Sequence, residues 1–78
     1  MPRYYFHVSA PDSELLRDPE GQEFRDLAAV REEAIASARE IMAELMLVGQ
    51  APDGHTFQIT DEKDKVLLVV PFKSAITH

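Results

Sequence analysis

From Leu27 to Val48 apolar side chains recur every three or four residues, and this stretch restricts the chain to folds built around one long helix. At 100° per residue, Leu27, Val30, Ala34, Ala38, Ile41, Leu45 and Val48 fall on one stripe, widened by Ile35 and Met42. Glu32, Glu33, Arg39, Glu40 and Glu44 lie off it. Asp26 stands where a carboxylate accepts from the free N–H groups of a first helical turn and meets the positive end of the dipole. Gly49 supplies a C-terminal stop, and Pro52 cannot continue a helix. At 1.5 Å per residue the run spans ~33 Å, against ~20 Å for a six-residue strand. Such a helix overhangs the sheet it covers.

The flanking segments read as strands. In residues 3–9, Tyr4, Phe6 and Val8 point one way and Tyr5, His7 and Ser9 the other. Asp18-Pro19-Glu20-Gly21 has the residues of a type I turn, with short extended pieces at 15–17 and 22–24 that would form a hairpin or a strand-like return. After the turn pair Asp53-Gly54, residues 55–60 alternate, with Phe57 and Ile59 on one face. Residues 61–65 form a polar turn. In 66–72, Val66, Leu68, Val70 and Phe72 share a face, and Leu67 and Val69 take the other. Pro71 lacks an N–H, so this strand lies at an edge or ends there. The order β-(β)-α-β-β predicts an α+β fold, a small antiparallel sheet of three to four strands with one long helix packed on one face. Residues 1–78 are expected to form a single domain, with 74–78 a frayed tail.

One helix covers one face of such a sheet. Tyr4, Phe6, Val8, Phe57, Ile59, Val66, Leu68, Val70 and Phe72 would meet the helix stripe. Tyr5, His7, Gln58, Leu67 and Val69 would then face water, a partner or a second copy. Met46 and Leu47 project away from the Leu45 stripe, so the helix end is apolar nearly all round. Either the 49–55 loop folds back over them or they meet another subunit or a partner. The candidate interaction surface is therefore Tyr5, His7, Leu67, Val69, Met46 and Leu47.

Charge narrows the partners. Eight basic residues against fourteen acidic ones give a net charge of −6. Residues 12–26 concentrate it, with Asp12, Glu14, Asp18, Glu20, Glu23 and Asp26 against Arg17 and Arg25. Such a chain repels phosphate backbones and favours a basic protein partner over nucleic acid. No segment reaches the ~18 apolar residues of a membrane span, the polar start does not read as a signal peptide, and there is no cysteine, so a cytoplasmic location is expected.

No motif for chemistry emerges. The aromatics of RYYFHV lack the glycines and basic residues of an RNA-stacking sheet. His7, His55 and His78 are not spaced with other ligands as a metal site requires. Asp61, Glu62 and Asp64 lack the spacing and glycine of a calcium loop. No nucleophile elbow, phosphate-binding glycine loop or zinc-protease motif occurs. The chain is expected to be no enzyme and to hold no cofactor.

MPRYYFH at the start, DPEG at 18–21, RDLAAVREEA at 25–34, FQITDE at 57–62 and VLLVVPF at 66–72 resemble the short alphaproteobacterial proteins grouped as domain of unknown function 6894. The resemblance covers nearly the whole chain and implies no activity, cofactor or catalytic residue. Similar members often carry Asp-Gly in the second hairpin where Asp64-Lys65 stands here, which points to a longer loop than a two-residue turn. A looser likeness joins DPEG, Asp26-Leu27 and the following helix to HicB-type antitoxins, without their proline- and glycine-bearing segment or a DNA-binding domain. Three functional expectations follow. The first is a noncatalytic module that forms a homodimer or binds a partner. The second is an antitoxin-like inhibitor of a small basic protein, acting through residues 12–26. The third is a weak single-strand nucleic-acid binder using Arg3, Tyr5 and His7.

Overall fold

The computed structural model describes residues 1–11, 13–51 and 54–76. Its elements run β1 (Arg3–Ser9), β2 (Gln22–Glu23), α1 (Leu27–Leu47), β3 (Thr56–Thr60), β4 (Val66–Pro71) and a 3₁₀ turn (Phe72–Ala75). The strands form one antiparallel sheet in the order β2-β1-β3-β4, and α1 packs on one face. The α+β class and the single helix agree with the expectation.

Both caps of α1 act as the residue types dictate. The Asp26 carboxylate accepts from the Ala29 N–H at 2.9 Å. At the other end Gly49 has φ +77°, its N–H reaches Met46 O at 3.1 Å, and the Gln50 N–H reaches Leu45 O at 2.8 Å. This pair of bonds is the Schellman closure, in which a left-handed glycine lets the chain turn back onto the last carbonyls. The apolar residue that often follows such a glycine and packs on the last turn is here Gln50. Pro52 and Asp53 lie outside the described residues.

Val30, Ala34, Ile35, Ala38 and Met42 bury the middle of the stripe against Tyr4, Phe57, Ile59, Val70 and Phe72. Aromatic contacts run through this layer, Phe24 to Phe6 at 5.6 Å between centroids, Phe6 to Phe57 at 5.7 Å, and Phe57 to Phe72 at 4.8 Å. Phe72 is fully buried.

Three local expectations are corrected. The pieces at 15–17 and 22–24 do not pair with each other. Leu16 bridges Val8, and Gln22 and Glu23 pair with Tyr4 and Arg3, all antiparallel to β1. Residues 16–23 therefore run along the free edge of β1 as one interrupted strand, and the Asp18–Gly21 segment bulges out without reversing the chain. Next, β4 carries a bulge. Ile59 pairs with Leu68 but Thr60 pairs with Val66, which leaves Leu67 as the extra residue. The bulge turns Val66 off the helix face, and it is 50 % exposed instead of buried, while Leu67 packs against the core. Finally, residues 74 and 75 are no frayed tail. Ala75 is buried, and its carbonyl accepts from Arg39 Nε at 3.1 Å. Thr77 and His78 lie outside the described residues.

The Asp61–Lys65 loop agrees with the longer connection expected. The Asp61 carboxylate accepts from the Lys63 N–H at 2.8 Å and the Lys65 N–H at 3.0 Å, and Asp64 takes φ +66°.

The bulge makes a direct prediction. Val66→Thr should change the unfolding free energy by no more than ~0.5 kcal/mol, as at other half-exposed sites. Leu68→Ala should cost roughly 2 kcal/mol through lost core packing. Chemical denaturation of both variants checks this, and the reverse order would place the bulge elsewhere.

Candidate interaction surface

Residues opposite each other across a ladder share a face. The face away from α1 therefore carries Tyr5 with Thr60 and Val66, then His7 with Gln58 and Val69. The alternation placed Tyr5, His7 and Val69 on this face correctly, but not their exposure. His7 is 3 % exposed.

A polar cover closes over His7. Its Nδ1 accepts from the Asp18 N–H at 2.9 Å, and its Nε2 lies 3.0 Å from the hydroxyl of buried Thr60. A ring nitrogen that accepts carries no proton, so the ring is neutral and Nε2–H donates to Thr60 Oγ1. Tyr5 stacks against the imidazole with centroids 6.3 Å apart and planes 10° from parallel. Above the ring, Arg17 and Asp64 form an ion pair of 2.5 Å, with the same Asp64 oxygen 3.9 Å from Nε2.

Asp18 anchors this cover. Its Oδ2 accepts from the Phe6 N–H at 3.1 Å, and its Oδ1 accepts from the Glu20 N–H at 3.2 Å and the Gly21 N–H at 3.1 Å. The side chain thus satisfies a β1 donor at the point where the edge strand bulges away. Gly21 has φ +68°, and a Cβ there would lie 2.8 Å from the Tyr5 ring and 2.9 Å from Tyr4 O, so only glycine closes this bulge without displacing β1.

Electrostatics follow from that geometry. Burial pushes the His7 pKa down and the Arg17 guanidinium pushes it further, against the opposing pull of Asp64 and Asp18. Burial alone would raise the Asp18 carboxyl, but the backbone N–H groups of Phe6, Gly21 and Glu20, with a smaller contribution from His7, hold it below the ordinary carboxylate range.

The six candidate residues now separate. Met46 and Leu47 are 69 % and 86 % exposed, with Val48 at 69 %, so the described residues of the following loop, 49–51 and 54–55, do not cover the helix end. Val69 is 54 % exposed and Tyr5 half-buried. His7 belongs to an internal hydrogen-bond network, and Leu67 packs inward at the bulge. The helix end and the sheet residues form two separate surfaces. The roles of Asp18, Arg17 and Thr60 are not visible in the strand pattern. Their one sequence signal is an aspartate two and three residues before the N–H groups of Glu20 and Gly21, the spacing of an Asx turn.

The family model described as Domain of unknown function (DUF6894) matches residues 3–73, and the chain belongs to that family. No curated protein and no solved structure matches it, and the HicB-type likeness has no counterpart among these findings. No helix among the described residues is long and apolar enough to cross a membrane.

The network predicts how stability varies with pH. A histidine whose folded pKa lies below its ordinary 6.5 contributes fully above that value. As pH falls from there, the unfolded chain takes up the proton first, and stability declines by at most ~1.4 kcal/mol per pH unit until the folded pKa is passed. Asp18 acts in a separate, more acidic window: its contribution is complete above 3.8 and is lost as pH falls through its lowered folded value. Urea denaturation at pH values from about 7 to 5 should show the His7 decline in the wild type and a flat profile in His7→Gln. An unchanged slope in the variant would rule out this role for His7.

Proposed function

We propose that this member of the DUF6894 family is a noncatalytic module that self-associates through the C-terminal end of α1. One observation carries the reading: Met46, Leu47 and Val48 stand exposed in succession on the last turn of a helix that outruns its sheet. At 1.5 Å per residue the 21 residues of α1 span ~32 Å, whereas the five residues of β3 span ~17 Å. Contiguous apolar surface of this kind is uncommon on monomers and marks contact sites.

A second copy is the occupant best matched to it. Two identical helix ends meet isologously about a two-fold axis, each burying the other's Met46 and Leu47. A standard interface takes ~800 Å² from each partner. Measured against 5372 Å² for the chain, that is about 15 % of the surface. The sheet face offers less, because His7 is sealed and Leu67 is turned inward, leaving Val66 and Val69 beside polar neighbours.

Light scattering at protein concentrations from about 1 to 100 μM, a range that brackets micromolar affinity, should give a dimer mass that falls on dilution. Met46→Glu with Leu47→Glu should give a monomer with unchanged helical circular dichroism, since both side chains lie outside the core. A wild-type monomer throughout, or a dimer that survives the double substitution, would overturn the proposal.

A further inference from the structure

A second surface lies on the opposite side of the sheet from His7, between α1 and the bulged edge strand. It is a groove of about 550 Å³. Its floor is Phe6, Val8, Ile41 and buried Phe57, and the Asp18–Gln22 bulge forms the far wall. The groove exists because α1 is tied off-centre. Arg39 holds it to the 3₁₀ turn after β4, and Phe6, Val8 and Phe24 on the other side stay only partly buried, whereas Tyr4 is in the core.

The charged residues that line the groove are all acidic, while Arg3 stands beside the bulge with its Nη1 donating to the Glu20 carbonyl at 2.8 Å. Asp18, Glu20 and Glu33 line the groove, and no Lys, Arg or His does. Glu40 and Glu44 follow Glu33 by seven and eleven residues, within about 20° of it on a helical wheel. They extend the acidic rim along the helix. Glu20, Glu33, Glu40 and Glu44 form no ion pair among the described residues, and the side-chain bond made by Glu33 is to the neutral Ser37 hydroxyl at 2.9 Å. By contrast Glu23, on the strand beyond the bulge, is paired with Arg3 and the N-terminus.

We propose that this groove docks a segment of another protein that inserts a large apolar side chain over Phe6, Val8 and Ile41 and sets flanking Lys or Arg residues against Glu20, Glu33, Glu40 and Glu44. Charge decides between this occupant and a second copy, because another copy of the chain brings a net −6 to a rim that is already acidic. The apolar floor separates the occupant from a purely basic tail. The inference does not rest on self-association: the groove is lined from α1 by Glu33, Ser37 and Ile41 and not by Met46, Leu47 or Val48, although its acidic rim runs on toward that end of the helix.

The probe is a synthetic amphipathic peptide in which leucines alternate with lysines and arginines. Its controls are one peptide with serine in place of every leucine and one with glutamate in place of every basic residue. Binding is followed by amide chemical shifts of the labelled full chain and by fluorescence anisotropy. The amphipathic peptide should shift Phe6, Val8, Gly21 and Ile41 selectively, and each control should bind at least about tenfold more weakly. Raising salt from about 20 to 300 mM should weaken binding several-fold. Glu40→Lys with Glu44→Lys, at exposed positions, should weaken it about tenfold while leaving the free protein's spectrum folded. Equal binding of the serine control, shifts spread over the whole acidic surface, no binding, or groove shifts produced by self-association alone would each overturn the proposal.

Discussion

The carboxylate of Asp18 is the interaction on which the arrangement of this small sheet depends. β1 has β3 on one side, and its other edge would stand open if residues 16–23 did not follow it. Those residues cannot stay in register, because the pairing advances by two residues between Leu16 and Gln22. A bulge must absorb the difference, and a bulge strands backbone donors. Asp18 takes up three of them, from Phe6, Glu20 and Gly21, while its own N–H goes to His7. Bonds to an ionised acceptor contribute about 1.5–3 kcal/mol each, so one side chain holds an edge that its few ladder bonds hold weakly.

This anchoring decides which surfaces remain for other molecules. By drawing Asp18 and Arg17 across the far side of the sheet, it seals His7 and completes a polar network through Thr60. The same bulge, seen from the helix side, walls the acidic groove over Phe6 and Val8. The end of α1 is untouched by either and stays apolar and exposed. A thin domain thus keeps two exposed surfaces, the helix end proposed to meet a second copy and the groove proposed to take a basic segment. A chain of 78 residues has too little interior to cover everything it makes apolar.

Much of the fold was legible because its signals are local. Asp26 and Gly49 bracket α1 to within a residue, and Tyr4, Phe57, Ile59 and Val70 lie in the core as period-two alternation places them. Where both parities of a strand are apolar, alternation loses its meaning. In VLLVV nothing local says which residue is the extra one, and the register with β3 assigned Leu67 to the bulge and turned Val66 outward. His7 was placed on the correct face, yet its burial depends on a main-chain N–H eleven residues away. The DPEG segment misled for a related reason. Its residues suit a reversal and a bulge equally, and pairing to β1 decides between them.

The central claim is that Asp18 and His7 fasten the edge strand, and nitrogen and amide NMR of the native protein tests it most directly. At neutral pH the His7 ring should show its proton on Nε2, and the Asp18 amide should be strongly protected from hydrogen exchange. On acidification His7 should titrate below 6.5, with Asp18 protection falling in the same transition. A His7 proton on Nδ1, or an Asp18 amide that exchanges freely at neutral pH, would contradict the account.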